Sequence, residues 1–167
     1  MIRYATIGTN FVVNWFLEAA KKCEGLHYCA AYSRNVEKAR EYAAQWGADR
    51  YTDSLTELAE AEDVDAVYIA SPNSLHFEQA ALMLTHGKHV LCEKTVTSNR
   101  RELERLLGIA DEKGLVFMEA MRSAFIPAFG LIGDNLNKLG TIRRVSLQYA
   151  KYSSRYDKFR AGVVENA

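Results

Sequence analysis

Four short stretches of this 167-residue chain place reactive or anion-binding groups right after apolar runs. Glu93-Lys94 follows Val90-Leu91-Cys92, and Ser71-Pro72-Asn73-Ser74-Leu75-His76 follows Val67-Tyr68-Ile69-Ala70. A lysine held beside a hydroxyl or carbonyl can give or take the proton that accompanies a change at that oxygen. Ile7-Gly8-Thr9-Asn10-Phe11-Val12-Val13 ends one apolar run and opens a helical pattern. At such a turn the free N–H groups of the helix N-terminus point to solvent and attract phosphate. Tyr32-Ser33-Arg34 offers a hydroxyl and a guanidinium with no carboxylate, a pairing that also welcomes phosphate.

Each stretch taken alone has a plainer reading. Gly8 permits a tight turn, but a full dinucleotide fingerprint asks for glycine at position 10 and glycine or alanine at 13. This chain has Asn10 and Val13. Asparagine reaches left-handed geometry more easily than most residues, so it can stand in for the second glycine. Val13 would hold the helix slightly farther from the strand. Arg34 also fits a solvated residue beside a helix N-cap, His76 a helix-start residue, and Lys94 a surface lysine.

The elements that must position these groups follow from periodicity. Arg3–Gly8, Leu26–Ser33, Asp65–Ala70, Lys88–Glu93 and Leu115–Ala120 read as strands, bare of charge at their centres. Helical patterns of ~10–15 residues separate them: Asn10–Lys22, Asn35–Trp46, Ser74–His86 ended by Gly87, and a helix capped by Asn99 and stopped at Gly114. Ser54-Leu55-Thr56-Glu57 is a capping box that starts a further short helix. This alternation predicts an α/β fold, a doubly wound parallel sheet over residues 1–120 with helices on both faces. Open parallel sheets bind ligands at the carboxyl ends of their strands, where all four stretches fall.

The rhythm changes after Ala120. Ile126–Leu139 reads as a helix ended by Gly140, and Thr141–Tyr152 as a long strand with one apolar face. Residues 121–167 therefore read as the first helix and strand of an incomplete α+β domain. Because a lone half-apolar strand invites pairing, a homodimer through Thr141–Tyr152 is expected.

Together the motifs resemble the Gfo/Idh/MocA family, the glucose–fructose oxidoreductase and inositol dehydrogenase group. The resemblance runs from Met1 to about Tyr152. Met118-Glu119-Ala120-Met121 is similar to the branch that contains dihydrodiol dehydrogenase. The resemblance implies an NAD(P)-binding Rossmann fold and hydride transfer to or from a sugar, polyol or diol. It implies a dinucleotide held by Gly8, Thr9, Asn10, Phe11, Val12, Ser33, Arg34, Ser71, Pro72, Asn73, Leu75, His76, Glu93, Lys94 and Met121. Lys94 matches the family's catalytic lysine, and Thr95 replaces the proline that follows it, with loss of the rigidity that a proline imposes. Ser33-Arg34 without a carboxylate points to NADP, with NAD also compatible. Family members run to roughly twice this length, so the chain reads as a truncated front half.

Composition narrows the field. Twenty-one basic residues balance twenty-one acidic ones, which gives no electrostatic reason for a nucleic acid or membrane partner. No signal-peptide pattern opens the chain, and three scattered cysteines suit neither a disulfide frame nor a zinc site. A cytoplasmic location and no bound metal are expected. Three functional readings remain open: the cofactor half of an enzyme, a non-catalytic dinucleotide-binding module, and an inactive remnant.

Overall fold

The structure, a computed structural model, describes residues 1–150, 152–153 and 156–162. Two compact units divide the chain, Met1–Ala120 and Met121–Ala167. In the first unit the six strands are β1 (Ile2–Ile7), β2 (Leu26–Tyr32), β3 (Arg50–Thr52), β4 (Ala66–Ile69), β5 (His89–Cys92) and β6 (Phe117–Glu119). The helices are α1 (Phe11–Ala20), α2 (Val36–Trp46), α3 (Leu55–Glu60), α4 (His76–Thr85) and α5 (Arg100–Lys113). One sheet holds all the strands in the order β3-β2-β1-β4-β5-β6, and every neighbouring pair is parallel. This is a doubly wound, Rossmann-type sheet.

Period-two alternation feeds two cores. Ala5 and Ile7 of β1 join Val67 and Ile69 of β4 under Leu58 of α3, Met83 and Leu84 of α4, and Leu106 of α5. Tyr4, Tyr28 and Tyr68 turn to the other face, against Val13 and Leu17 of α1 and Tyr42 of α2. Thr6 lies on that second face too, where its hydroxyl meets the Tyr28 hydroxyl at 2.6 Å. Neither group is left unpaired in the core, which would cost ~1–3 kcal/mol.

Local signals set most boundaries. Asn99 Oδ1 accepts from Glu102 N, and Glu102 returns a carboxylate oxygen to Ser98 N. Ser54 caps α3 through Glu57 N, but the Glu57 carboxylate accepts from the Thr52 hydroxyl instead of closing the expected box. The short edge strand β3 is an addition to the five expected strands.

The second unit holds a 3-10 turn (Arg122–Phe125), α6 (Pro127–Asn135), a second 3-10 turn (Leu136–Leu139) that stops at Gly140, and α7 (Tyr156–Arg160). Thr141–Tyr152 is not a strand over its described residues: positions 141–150 form no regular structure. A strand needs a ladder partner, and none pairs with this segment among the described residues.

Candidate functional site

Parallel pairing carries the carboxyl ends of β1, β2, β4, β5 and β6 to one edge of the sheet. The strand order reverses between β1 and β4, where a crevice for ligands opens in such folds. Ladder bonds run up to its rim: Gly8 N to Tyr32 O, Ala70 N to Ile7 O, Glu93 N to Ile69 O and Ala120 N to Cys92 O.

The loop after β1 packs directly on the end of β4. Gly8 has φ +119°, and a Cβ there would sit 2.7 Å from the Ala70 carbonyl oxygen. Asn10 reaches the same carbonyl, its Nδ2 donating at 2.6 Å. Asn10 does not adopt the left-handed conformation expected of a glycine substitute. Its φ of −93° and ψ of 174° are extended, and it serves as the N-cap of α1. Its Oδ1 accepts from Val12 N at 2.9 Å and Val13 N at 3.3 Å. The side chain thus ties the turn to β4 while it caps the helix. Val13 is fully buried against the sheet. Phe11, at the first helical position, is exposed and meets Trp15 edge to face.

Ser33 is half-buried at the end of β2, and its Oγ accepts from Asn35 N at 3.4 Å. Arg34 is exposed beside it. Asn35 caps α2 by accepting from Lys38 N.

After β4, Pro72 and Asn73 are exposed and Leu75 is half-buried. The Ser71 hydroxyl donates to Gln79 Oε1 at 2.6 Å. His76 differs from its neighbours, for it is fully buried. Its Nε2 lies 2.9 Å from Ser71 O and its Nδ1 2.9 Å from Thr95 O. Each ring nitrogen thus faces one loop carbonyl, and a nitrogen that carries hydrogen donates to the one it faces. His76 bridges the loops that follow β4 and β5.

After β5, Glu93 accepts from the Tyr68 hydroxyl at 2.8 Å. Burial, first, and this bond, second, push the Tyr68 phenol well above its ordinary range, so it stays a donor. Phe16 stacks on the Tyr68 ring with centroids 3.9 Å apart. Lys94 is exposed and makes no hydrogen bond or ion pair among the described residues. The Lys94–Thr95 peptide bond is cis, although residue 95 is not proline. Met121, which opens the second unit, is 43% exposed.

Sequence reasoning did not single out Gln79, which holds Ser71, or Tyr68, which holds Glu93. Tyr68 sits in an apolar run and Gln79 on an amphipathic helix, patterns that report burial and not bonding. Among the described residues no group of three or more His, Cys, Asp or Glu is arranged for a metal ion. No helix among them is long and apolar enough to cross a membrane.

Residues 2–121 match the family model described as oxidoreductase family, NAD-binding Rossmann fold. The chain belongs to the Gfo/Idh/MocA oxidoreductase family. Over 167 residues it is 50% identical to scyllo-inositol 2-dehydrogenase (NADP(+)) IolU of Bacillus subtilis, covering 100% of this chain and 51% of that protein. It is 34% identical to trans-1,2-dihydrobenzene-1,2-diol dehydrogenase of Bos taurus, over 73% of this chain and 37% of that one. A crystal structure of KijD10, a 3-ketoreductase from Actinomadura kijaniata, in complex with TDP-benzene and NADP superposes with a TM-score of 0.75. Identity there is 33%, over 82% of this chain and 43% of that one. The chain spans about half the length of the curated Gfo/Idh/MocA relatives it matches.

The residues fit the family's dinucleotide. A glycine is needed where the first turn meets Ala70, a helix N-terminus follows it, and a hydroxyl and a guanidinium stand at the end of β2.

Proposed function

We propose that this chain is the cofactor-binding half of an NADP-dependent oxidoreductase that acts on a CH–OH group of a polyol, sugar or diol. The carrying observation is the placement of Ser33-Arg34 and Lys94 at the same edge of the sheet, on opposite sides of the β1/β4 crevice. Arg34 supplies a fixed positive charge for a 2′-phosphate, and no carboxylate in Tyr32-Ser33-Arg34 repels it. Gly8, Thr9, Asn10, Phe11 and Val12 form the turn for the pyrophosphate. Ser71, Pro72, Asn73 and Leu75 flank the nicotinamide side, with His76 bridging their loop to the one after β5. The bound nicotinamide supplies or accepts the hydride. When a carbonyl is reduced, Lys94 gives the oxygen a proton from the ammonium, and when a hydroxyl is oxidised, the same side chain takes up the hydroxyl proton as the free amine. The substrate class rests on the names of the relatives, which include an inositol dehydrogenase and a diol dehydrogenase.

Residues 121–167 are proposed as the start of the substrate and oligomerisation domain. Val145 and Leu147 are exposed in the segment that the sequence marks as a strand. An apolar-faced segment of this kind suits pairing with the same segment of a second copy, which makes a homodimer through 141–152 part of the proposal. A lower sedimentation mass for Leu147→Asp would support it, and a concentration-independent monomer in the unchanged chain would end it. The buried free thiols Cys29 and Cys92 suit a reducing cytoplasm.

Titration with NADPH and NADH, followed by nicotinamide fluorescence, tests the cofactor reading. NADPH should bind more tightly, and Arg34→Asp should weaken NADPH by about one to two decades while sparing NADH, the scale of one charge-assisted contact. Equal losses, or none, would displace Arg34 from the phosphate site. Both the half-enzyme and the non-catalytic module predict binding without turnover in this chain. A full-length relative separates the two: replacement of the lysine that matches Lys94 should lower turnover there far more than NADPH binding.

A further inference from the structure

One peptide unit next to Lys94 is held at both polar ends by side chains from the flanking strands' side of the sheet. The Thr95 carbonyl oxygen lies 2.9 Å from Nδ1 of His76, which begins α4 on the β4 side. The N–H of the same peptide belongs to Val96 and donates to Glu119 Oε1 at 3.0 Å. Glu119 ends β6, the strand on the other side of β5. Val96 and Thr97 are buried, so the segment is pinned from below as well. Lys94 is exposed and has no partner of its own among the described residues.

A lysine side chain has four rotatable bonds and a compact charge, so its own chain fixes its head poorly. The root is the only part that this protein holds. Catalysis through the ammonium needs near-ångström placement, and loose support forfeits it. A carboxylate oxygen that accepts from a backbone N–H is a strong, directional anchor. Aliphatic packing alone would leave the peptide plane free to rotate. Glu119 lies in the Met118-Glu119-Ala120-Met121 stretch, and no part of the dinucleotide reading uses it.

We infer that Glu119 is a positioning residue. With His76 opposite, it clamps the Thr95–Val96 peptide and so sets the origin and direction of the Lys94 side chain. The inference rests on the proposed role of Lys94, but the clamp itself has a readout that needs no cofactor.

The test uses the 167-residue chain with Glu119→Ala and Glu119→Gln. Glutamine keeps an oxygen acceptor at the same reach, and alanine removes it. The first readout is the rate at which trinitrobenzenesulfonate modifies Lys94, resolved from other lysines by peptide mass mapping. The second is the affinity for NADPH against that for 2′,5′-ADP, which lacks the nicotinamide end. Glu119→Ala should change the Lys94 modification rate at least threefold. It should weaken NADPH about three- to tenfold and shift its bound fluorescence, with 2′,5′-ADP affinity kept within twofold. Glu119→Gln should restore all these values to within twofold. Parallel losses for NADPH and 2′,5′-ADP in both variants would mean general damage to the fold and overturn the inference. So would an unchanged Lys94 modification rate, or a glutamine variant that behaves like the alanine one. If the unchanged chain binds neither nucleotide, the cofactor reading fails, and the Lys94 modification rates still decide the clamp.

Discussion

Gly8→Ala should be far more damaging than an alanine at another glycine of positive φ. Gly8 and Gly47 both lie in conformations that L residues rarely adopt, with φ of +119° and +78°. An alanine at either site carries backbone strain of about 1–2 kcal/mol and an opposing gain of about 0.4–1 kcal/mol from a stiffer unfolded chain. The strain at Gly8, whose φ lies beyond the left-handed helical region that Gly47 occupies, is at least as large, and the surroundings differ further. At Gly47, the C-cap of α2, a Cβ meets nothing within 4 Å. At Gly8 it would lie 2.7 Å from Ala70 O and 3.1 Å from Ala70 C, and both are backbone atoms with no rotamer to yield. Overpacking of this kind costs about 1–3 kcal/mol beyond the strain. For a domain of this size that separates the two melting temperatures by roughly 5–15 °C. Circular dichroism melts of the two variants measure the gap directly. Relief of the clash moves the first turn off β4, so NADPH affinity should fall at least tenfold in Gly8→Ala and stay unchanged in Gly47→Ala. Equal melting temperatures would refute the claim that the turn is seated on Ala70.

Asn10→Ala removes the cap from Val12 and Val13 and the bond to Ala70 O, and should cost about 1–2 kcal/mol in a urea titration. Asn10→Ser should recover the capping part of that loss. Leu58→Ala empties a fully buried position under the sheet and should cost about 2–5 kcal/mol, read as a lower urea midpoint at unchanged slope. Asp65 is held down to about 2, mainly by the Arg3 guanidinium and also by the Arg3 N–H. Its folded value is depressed, so its contribution is full above about pH 5 and fades as pH falls from about 4 toward 2. Asp65→Asn should therefore melt below the unchanged chain at pH 7, and the two curves should converge near pH 2. The gap is modest because both side chains are about a third or more exposed.

Strands that are buried on both faces announce themselves, which is why β1, β2, β4 and β5 could be read from runs that are charge-free at their centres. β6, with Met118 exposed, was legible only from the apolar run around it, Leu115-Val116-Phe117-Met118. β3 could not be read, because Arg50-Tyr51-Thr52 stands between Asp49 and Asp53 in no apolar run, and only its pairing with β2 makes it a strand. The ends of the strands pointed to the right loops, since parallel pairing puts every carboxyl end on one side. The bonding inside those loops was not legible. Asn10 finds Ala70 sixty residues away, His76 finds Thr95 nineteen away, and Val96 finds Glu119 twenty-three away. Such contacts depend on the completed sheet and leave no local period. Thr141–Tyr152 shows the converse: its alternation is plain, yet positions 141–150 have no ladder partner among the described residues and form no strand.

The sheet's two outermost strands, β3 and β6, have only three residues each. A foreign strand that arrived at either border would find room for very few backbone bonds before the chain turned away. At the β3 border Arg50 is also engaged with Asp63 and Glu57, so an approaching apolar strand would meet charge. The first unit is thereby protected from stacking edge to edge into larger aggregates. A chain stripped back to residues 1–120 should stay dispersed at high concentration, and clumping of the whole chain would trace to the apolar surface that follows Met121.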